Sequence, residues 1–241
     1  YWQERDRTAT FPDAFHRAFA EAGWLGIAMP EAYGGAGLGI TEAAIMMHTV
    51  ASSAGAFAAC STIHLNIFGP HAIVVHGTEE QKARMLPPLI RGEVRACFGV
   101  TEPDSGLDTT HLKTRAVRRG DRYIVDGRKV WTSTARQADR ILLVTRTTPL
   151  ADCKRPTDGI TVFYTRFDRD RIEVREIEKM ARKAVDSNAI FIDGLAVPEE
   201  DRIGAEGEGF RVLLHGLNAE RILAAASAIG AGQVVLEKAA A

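Results

Sequence analysis

From Ala43 to Thr78 the chain carries no Asp, Glu, Lys or Arg. A charge-free stretch of that length either crosses a bilayer or is covered by the rest of a folded protein. Its content favours cover: Ala, Gly, Ser and Thr dominate, His48, His64, Asn66 and His71 interrupt it, and Gly69-Pro70 breaks it. The segment therefore predicts helices buried on most of their circumference, and no membrane span. Such helices can wall an apolar pocket. With 241 residues, 46% of them hydrophobic, the chain has enough apolar material to bury them.

Around this segment the pattern changes twice. Residues 1–95 predict an α-helical domain: PDAFHRAFAEAGW places Phe15, Ala18, Phe19 and Ala22 at helical spacing, and TEEQKARMLPPLIRGE opens with a cap-like Thr78 followed by acids. Between them GWLGIAMPEAYGGAGLG is glycine-rich without a GxGxxG after a strand, so it predicts a loop between helices. Residues 96–204 predict a β domain. HLKTRAVRRGDRYIVDGRKVWTS has turn signals at Gly120-Asp121 and Asp126-Gly127, and RILLVTRT, GITVFYTRF, RIEVREIEKM and NAIFIDGLAVP are short, β-rich and punctuated. Strands at this spacing predict an antiparallel barrel or sandwich. Residues 205–241 return to helical spacing, through Ile222, Leu223, Ala226 and Ile229, and the pattern stops without a Gly or Pro, which predicts a further C-terminal portion.

Charge and cysteine usage narrow the function classes. Thirty basic against thirty-one acidic residues leave no global field for nucleic acid, and the basic run Lys113 to Arg122 alternates as the wet face of a hairpin. Cys60, Cys97 and Cys153 form no CxxC pair and no zinc spacing, and YWQERDRTATFPDAF lacks the order of a signal peptide. A cytoplasmic, metal-free protein is the expectation. No HExxH, P-loop or GxSxG is present, which leaves hydrolase and metalloenzyme readings without support.

Three segments carry candidate chemistry. VTEPDSGLD combines the hydroxyl of Thr101, the fixed φ of Pro103 and the open backbone of Ser105-Gly106; it either seats a ring or a phosphate or is an ordinary β-turn. VWTST sets Trp131 beside Thr132 and Ser133, a flat apolar face next to hydroxyls, or else a core Trp at a strand end. GLNAERILAA puts Glu220 and Arg221 at the border of an apolar helix face, where burial raises and a guanidinium lowers a carboxyl pKa; an exposed ion pair is the plainer alternative.

The order GWLGIAMPEAYGGAGLG, GTEEQKARMLPPLIRGE, FGVTEPDSGLD, VDGRKVWTS, FIDGLAVPEEDRIGAEGEGF and GLNAERILAA resembles the acyl-CoA dehydrogenase family along the whole chain. The resemblance implies a helical N-terminal domain, a β-barrel middle domain and the first helix of a C-terminal four-helix bundle. It implies FAD held by Phe98, Gly99, Val100, Thr101, Gly106, Trp131, Thr132 and Ser133, with the Ser133 hydroxyl near the reactive flavin nitrogen. An acyl-CoA thioester would meet Leu107, Arg175, Asn218 and Arg221, and Glu220, immediately before the helix arginine as in isovaleryl-CoA and long-chain members, would be the base. The implied reaction is α,β-dehydrogenation to the trans-2-enoyl-CoA in a homo-oligomer, a tetramer or dimer, with electrons passing to an electron transfer flavoprotein. A flavin oxidase or monooxygenase and a non-catalytic acyl-CoA-binding scaffold are the alternatives. Three departures from the family pattern stand out: Leu107 for a serine, Asn218 for an aspartate, and Val185 where a hydroxyl residue is frequent.

Overall fold

The computed structural model describes residues 1–241. Its first part is helical: α1 (Trp2–Thr8), α2 (Asp13–Glu21), α3 (Ile40–Ala51), α4 (Ala56–Ile63), α5 (Leu65–Phe68), α6 (His71–His76) and α7 (Glu79–Ile90). The charge-free segment is divided among α3 to α6. Their apolar residues Ala43, Met47, Ala51, Cys60, Ile63, Ile67 and Phe68 join one core with Leu25 and Ile27. Chain-breaking residues set the divisions, as at Gly55, which precedes α4, and at Gly69-Pro70, which precedes α6. α7 starts at a capping box in which Gln81 N donates to Thr78 Oγ1 at 3.2 Å and Thr78 N to Gln81 Oε1 at 2.9 Å.

The middle part holds β1 (Ala96–Gly99), β2 (Arg115–Arg119), β3 (Arg122–Ser133), β4 (Arg140–Arg146), β5 (Ile160–Arg166), β6 (Ile172–Glu176), β7 (Ser187–Pro198) and β8 (Arg202–Ile203). They form one sheet in the order β6-β7-β3-β2-β4-β5-β8, with β1 added against β4. The expected antiparallel barrel or sandwich needs two corrections. β1 and β2 both pair parallel to β4, and no pairing joins the end strands β6 and β8. Parallel pairing is possible because long connections, not tight turns, separate these strands.

One turn signal also differs. Gly120-Asp121 is the β2–β3 hairpin turn, with Arg119 opposite Arg122, but β3 runs straight through Asp126-Gly127. There Asp126 Oδ1 accepts from Gly194 N at 2.8 Å, beside an extra residue in β7 between the pairs Val125–Leu195 and Gly127–Ile192. Gly127 is required by contact: a Cβ would stand 2.7 Å from Thr114 Cα.

β4 is buried on both faces. Ile141 and Leu143 meet Tyr123, Val125, Phe163 and Ile190 inside the β domain, whereas Leu142 and Val144 meet Leu86, Leu89 and Ile73 of the helices. The last element, α8 (Gly209–Ala240), lays Ala219 and Leu223 on the α3 core. α8 and the Ala56–His76 stretch are both long and apolar enough to cross a membrane. The apolar window of the latter is 72% buried within the protein, that of α8 17%.

Candidate functional site

The tip of β1 and the end of β3 lie side by side. Val130 N donates to Thr101 O at 2.9 Å, and Lys129 Nζ donates to Val100 O at 3.0 Å. Phe98, Gly99, Val100 and Thr101 are thereby brought against Trp131, Thr132 and Ser133. Between the pairs Lys129–Ile190 and Thr132–Asn188, β3 holds one residue more than β7. That bulge turns Trp131 outward: the residue is 60% exposed and its φ is +62°. A bulky residue in the left-handed region costs about 1–2 kcal/mol and persists only where its surroundings impose it. Here the Val130–Thr101 bond on one side and Asn188 Nδ2 donating to Thr132 O at 2.9 Å on the other impose it. Trp131 is therefore not a core residue, and its indole faces outward from the strand end.

The bend after β1 closes on itself, with Glu102 N to Ser105 O and Ser105 N to Glu102 O both at 3.1 Å. Ser105 Oγ donates to Asp108 O at 2.7 Å. The Ser105 amide is thus used within the bend, but those of Gly106 and Leu107 donate to no atom of the chain. Leu107 is fully exposed, and nothing stands within 4 Å of a Cβ placed on Gly106. Two free amides on an open turn suit an anion such as a phosphate.

Beneath the bend is a pair that motif reasoning missed. Lys129, 0% exposed, donates from Nζ to Glu102 Oε1 at 2.8 Å. Glu102 is itself buried and accepts from Thr114 N at 2.9 Å and from Lys113 N at 2.6 Å. Burial pushes Lys129 down to about 8 while Glu102 pulls it back up. For Glu102, burial raises the pKa but Lys129 and the amides of Thr114 and Lys113 outweigh it, so the net direction is down. The available signal was strand parity: Lys129 has the same parity as Tyr123 and Val125, both inward-facing.

Glu220 is half-buried on α8, and its pKa is raised by burial against a lowering pull from Arg221. One turn earlier, Gly216 brings α8 close to the Phe68 carbonyl, 3.5 Å from where a Cβ would stand. The Phe68 ring meets that of Phe98 edge-on at 5.4 Å. The inward face of α8 thus reaches the tip of β1 through one aromatic contact. Asn218 and Arg221 are exposed on α8, with Arg221 Nη1 donating to Asn218 Oδ1 at 2.9 Å. Arg175 lies apart from these residues on the edge strand β6, two strands from β3, where it pairs with Glu173 at 2.7 Å and stacks on Phe191.

The site thus joins flat apolar side chains, hydroxyls and free amides at two strand ends, with Thr132 Oγ1 buried and unpartnered and a carboxyl of raised pKa on the following helix. This donor set fits a planar heteroaromatic ring that carries a phosphate.

Residues 1–93 match the acyl-CoA dehydrogenase, N-terminal domain family, and residues 97–195 match the acyl-CoA dehydrogenase, middle domain family. A 3-(aryl)acrylate reductase from Clostridium sporogenes (strain ATCC 15579) is 32% identical over 98% of this chain and 62% of its own length. Among solved structures, a glutaryl-coenzyme A dehydrogenase in complex with glutaryl-CoA is similar with a TM-score of 0.90 at 30% identity, over 97% of this chain and 59% of that one. A prolyl acyl carrier protein oxidase gives 0.85 at 29%, over 98% and 62%. The chain spans about three fifths of the length of these relatives. In sequence and in fold, it belongs to the acyl-CoA dehydrogenase family.

Proposed function

We propose that this chain is the helical and β portion of an FAD-dependent enzyme that oxidises an acyl-CoA thioester between its α- and β-carbons to the trans-2-enoyl form. The observation that carries this reading is Trp131, exposed and held at φ +62° beside the tip of β1, where strain is maintained to present a flat face. Bound FAD would supply the acceptor for the hydride that leaves the β-carbon. Phe98 and Trp131 would flank its ring, Ser133 and Thr132 offer hydroxyls, and the Gly106 and Leu107 amides suit a phosphate. Leucine at 107 offers its amide but no side-chain donor.

Glu220 is the base of this proposal. An α-proton of a thioester is a far weaker acid than a carboxyl group. A carboxylate that is half-buried, with its pKa raised, is a better match than an exposed one, and water exclusion strengthens every contact at the reacting carbons. Asn218 and Arg221, on the exposed side of the same helix, would meet the CoA portion; Arg175, already paired with Glu173, is the least supported contact. Electron transfer flavoprotein as electron acceptor, a homodimer or homotetramer, and further helices packed on the exposed Ile222, Ile229 and Leu236 of α8 complete the proposal.

Anaerobic addition of straight, branched and aromatic acyl-CoAs to the yellow holoprotein should bleach the flavin with one class. Glu220→Gln should keep FAD and slow that bleaching by about 10²–10⁴-fold. Unchanged bleaching would place the base elsewhere. The likeness to a prolyl acyl carrier protein oxidase supports a second reading, in which reduced flavin reacts with oxygen. Reoxidation in air within the turnover time would favour it.

A further inference from the structure

We infer that the buried Glu102–Lys129 pair is a positioning element that holds the two flavin-facing segments against each other. The inference rests on the flavin reading above.

The pair ties three stretches of backbone at one point. Lys129 on β3 donates to Glu102 Oε1 at 2.8 Å and to Val100 O at 3.0 Å, both on the tip after β1. Glu102 in turn accepts from Lys113 N at 2.6 Å and Thr114 N at 2.9 Å, just before β2. Gly99 packs over the lysine stem: a Cβ there would stand at ordinary contact distance, 3.5 Å, from Lys129 Cγ and closer, 3.1 Å, to Ile141 Cδ1 and Leu143 Cδ1. The next residue, Val130, donates to Thr101 O at 2.9 Å and begins the bulge that turns Trp131 outward. Residues 129 and 130 therefore grip 100, 101 and 102 immediately before the strained tryptophan.

Stability is a poor reason for such a pair. Two buried charges recover little more than their desolvation cost, and apolar replacements of equal shape commonly do as well. What the ammonium supplies is direction: it draws a carbonyl and a carboxylate of the tip inward, which fixes the tip relative to β3. Without it Val100 O and Glu102 lack that interior donor, and the tip relaxes toward water. The charged group that the ammonium meets is Glu102, and burial has already lowered its own proton affinity into the range near pH 8.

The test uses holoprotein carrying Glu102→Gln and Lys129→Met together, which removes both charges and nearly preserves volume. Far-UV circular dichroism should match that of the wild type. FAD affinity on reconstitution should fall at least tenfold, and the visible circular dichroism of the bound flavin should change. In the wild type this visible signal should change with an apparent pKa near 8, and the double variant should lose that dependence. Wild-type FAD affinity and flavin signal in the folded double variant would overturn the positioning role and leave the flavin reading intact. A wild-type protein that binds no FAD would overturn both. Should the double variant fail to fold, Glu102→Gln alone keeps the side-chain shape and one acceptor oxygen but leaves the Lys129 ammonium without its carboxylate. FAD affinity should again fall at least tenfold, and unchanged affinity in it would overturn the inference.

Discussion

Thr132 Oγ1 is buried on β3 and makes no hydrogen bond within the chain. A buried hydroxyl without a partner costs about 1–3 kcal/mol. Thr132→Val should therefore stabilise the FAD-free chain by about 1 kcal/mol, read from urea unfolding; equal or lower stability would mean that the hydroxyl is satisfied. At this scale the sequence was only partly informative. Trp131 and Ser133 were found as a flat face beside a hydroxyl, but exposure of the tryptophan depends on a bulge set by pairing with β7, far away in the chain. Lys129 was legible only through parity, because a lone lysine among Arg128, Val130 and Trp131 carries no local sign of a carboxylate partner 27 residues earlier.

Gly230 shows how closely two elements approach. A Cβ there would stand 2.3 Å from the carbonyl oxygen of His48 and 3.0 Å from Ser52 Oγ, so α8 crosses α3 nearly backbone to backbone. Ser52 Oγ also donates to Gly230 O at 3.3 Å. In an exposed helix, Gly→Ala would gain about 1 kcal/mol. Here the clash is with backbone that cannot rotate away, and overpacking costs about 1–3 kcal/mol. Gly230→Ala should thus give no gain or a net loss in stability, and a full gain of about 1 kcal/mol would show the helices free to part. Helices and strands were largely readable as elements: the Thr78–Gln81 box announces α7, and Gly120-Asp121 announces the β2–β3 turn. Parallel pairing of β1 with β4 was not, since Arg95 N meets Asp139 Oδ2 across 44 residues and periodicity carries no record of partners. Asp126-Gly127 misled because the chemistry that makes a turn also serves opposite a bulge.

For the whole molecule, two histidines couple folding to pH, His64 inside the charge-free segment Ala43–Thr78 and His16 on α2. Burial pushes His64 down to about 4, against opposing hydrogen bonds from its ring to the Cys60 and Ser61 backbone, and the Arg182 charge lowers it further. His16 is also lowered to about 4, first by burial and then by Arg95. Each has its native pKa below the unfolded value of 6.5, so on acidification the unfolded chain takes up these protons first. The stability involved is complete above pH 6.5 and drains as pH falls toward 4, at up to about 1.4 kcal/mol per pH unit for each residue. Denaturation midpoints at pH 7, 6 and 5 should therefore fall before most carboxylates titrate. His64→Gln removes one titrating group while leaving an amide that can reach Cys60 O, now 3.2 Å from the ring Nδ1, and should flatten the dependence between pH 6.5 and 5. An identical slope in that variant would mean that His64 is protonated in the native state, and that the charge-free interior admits water.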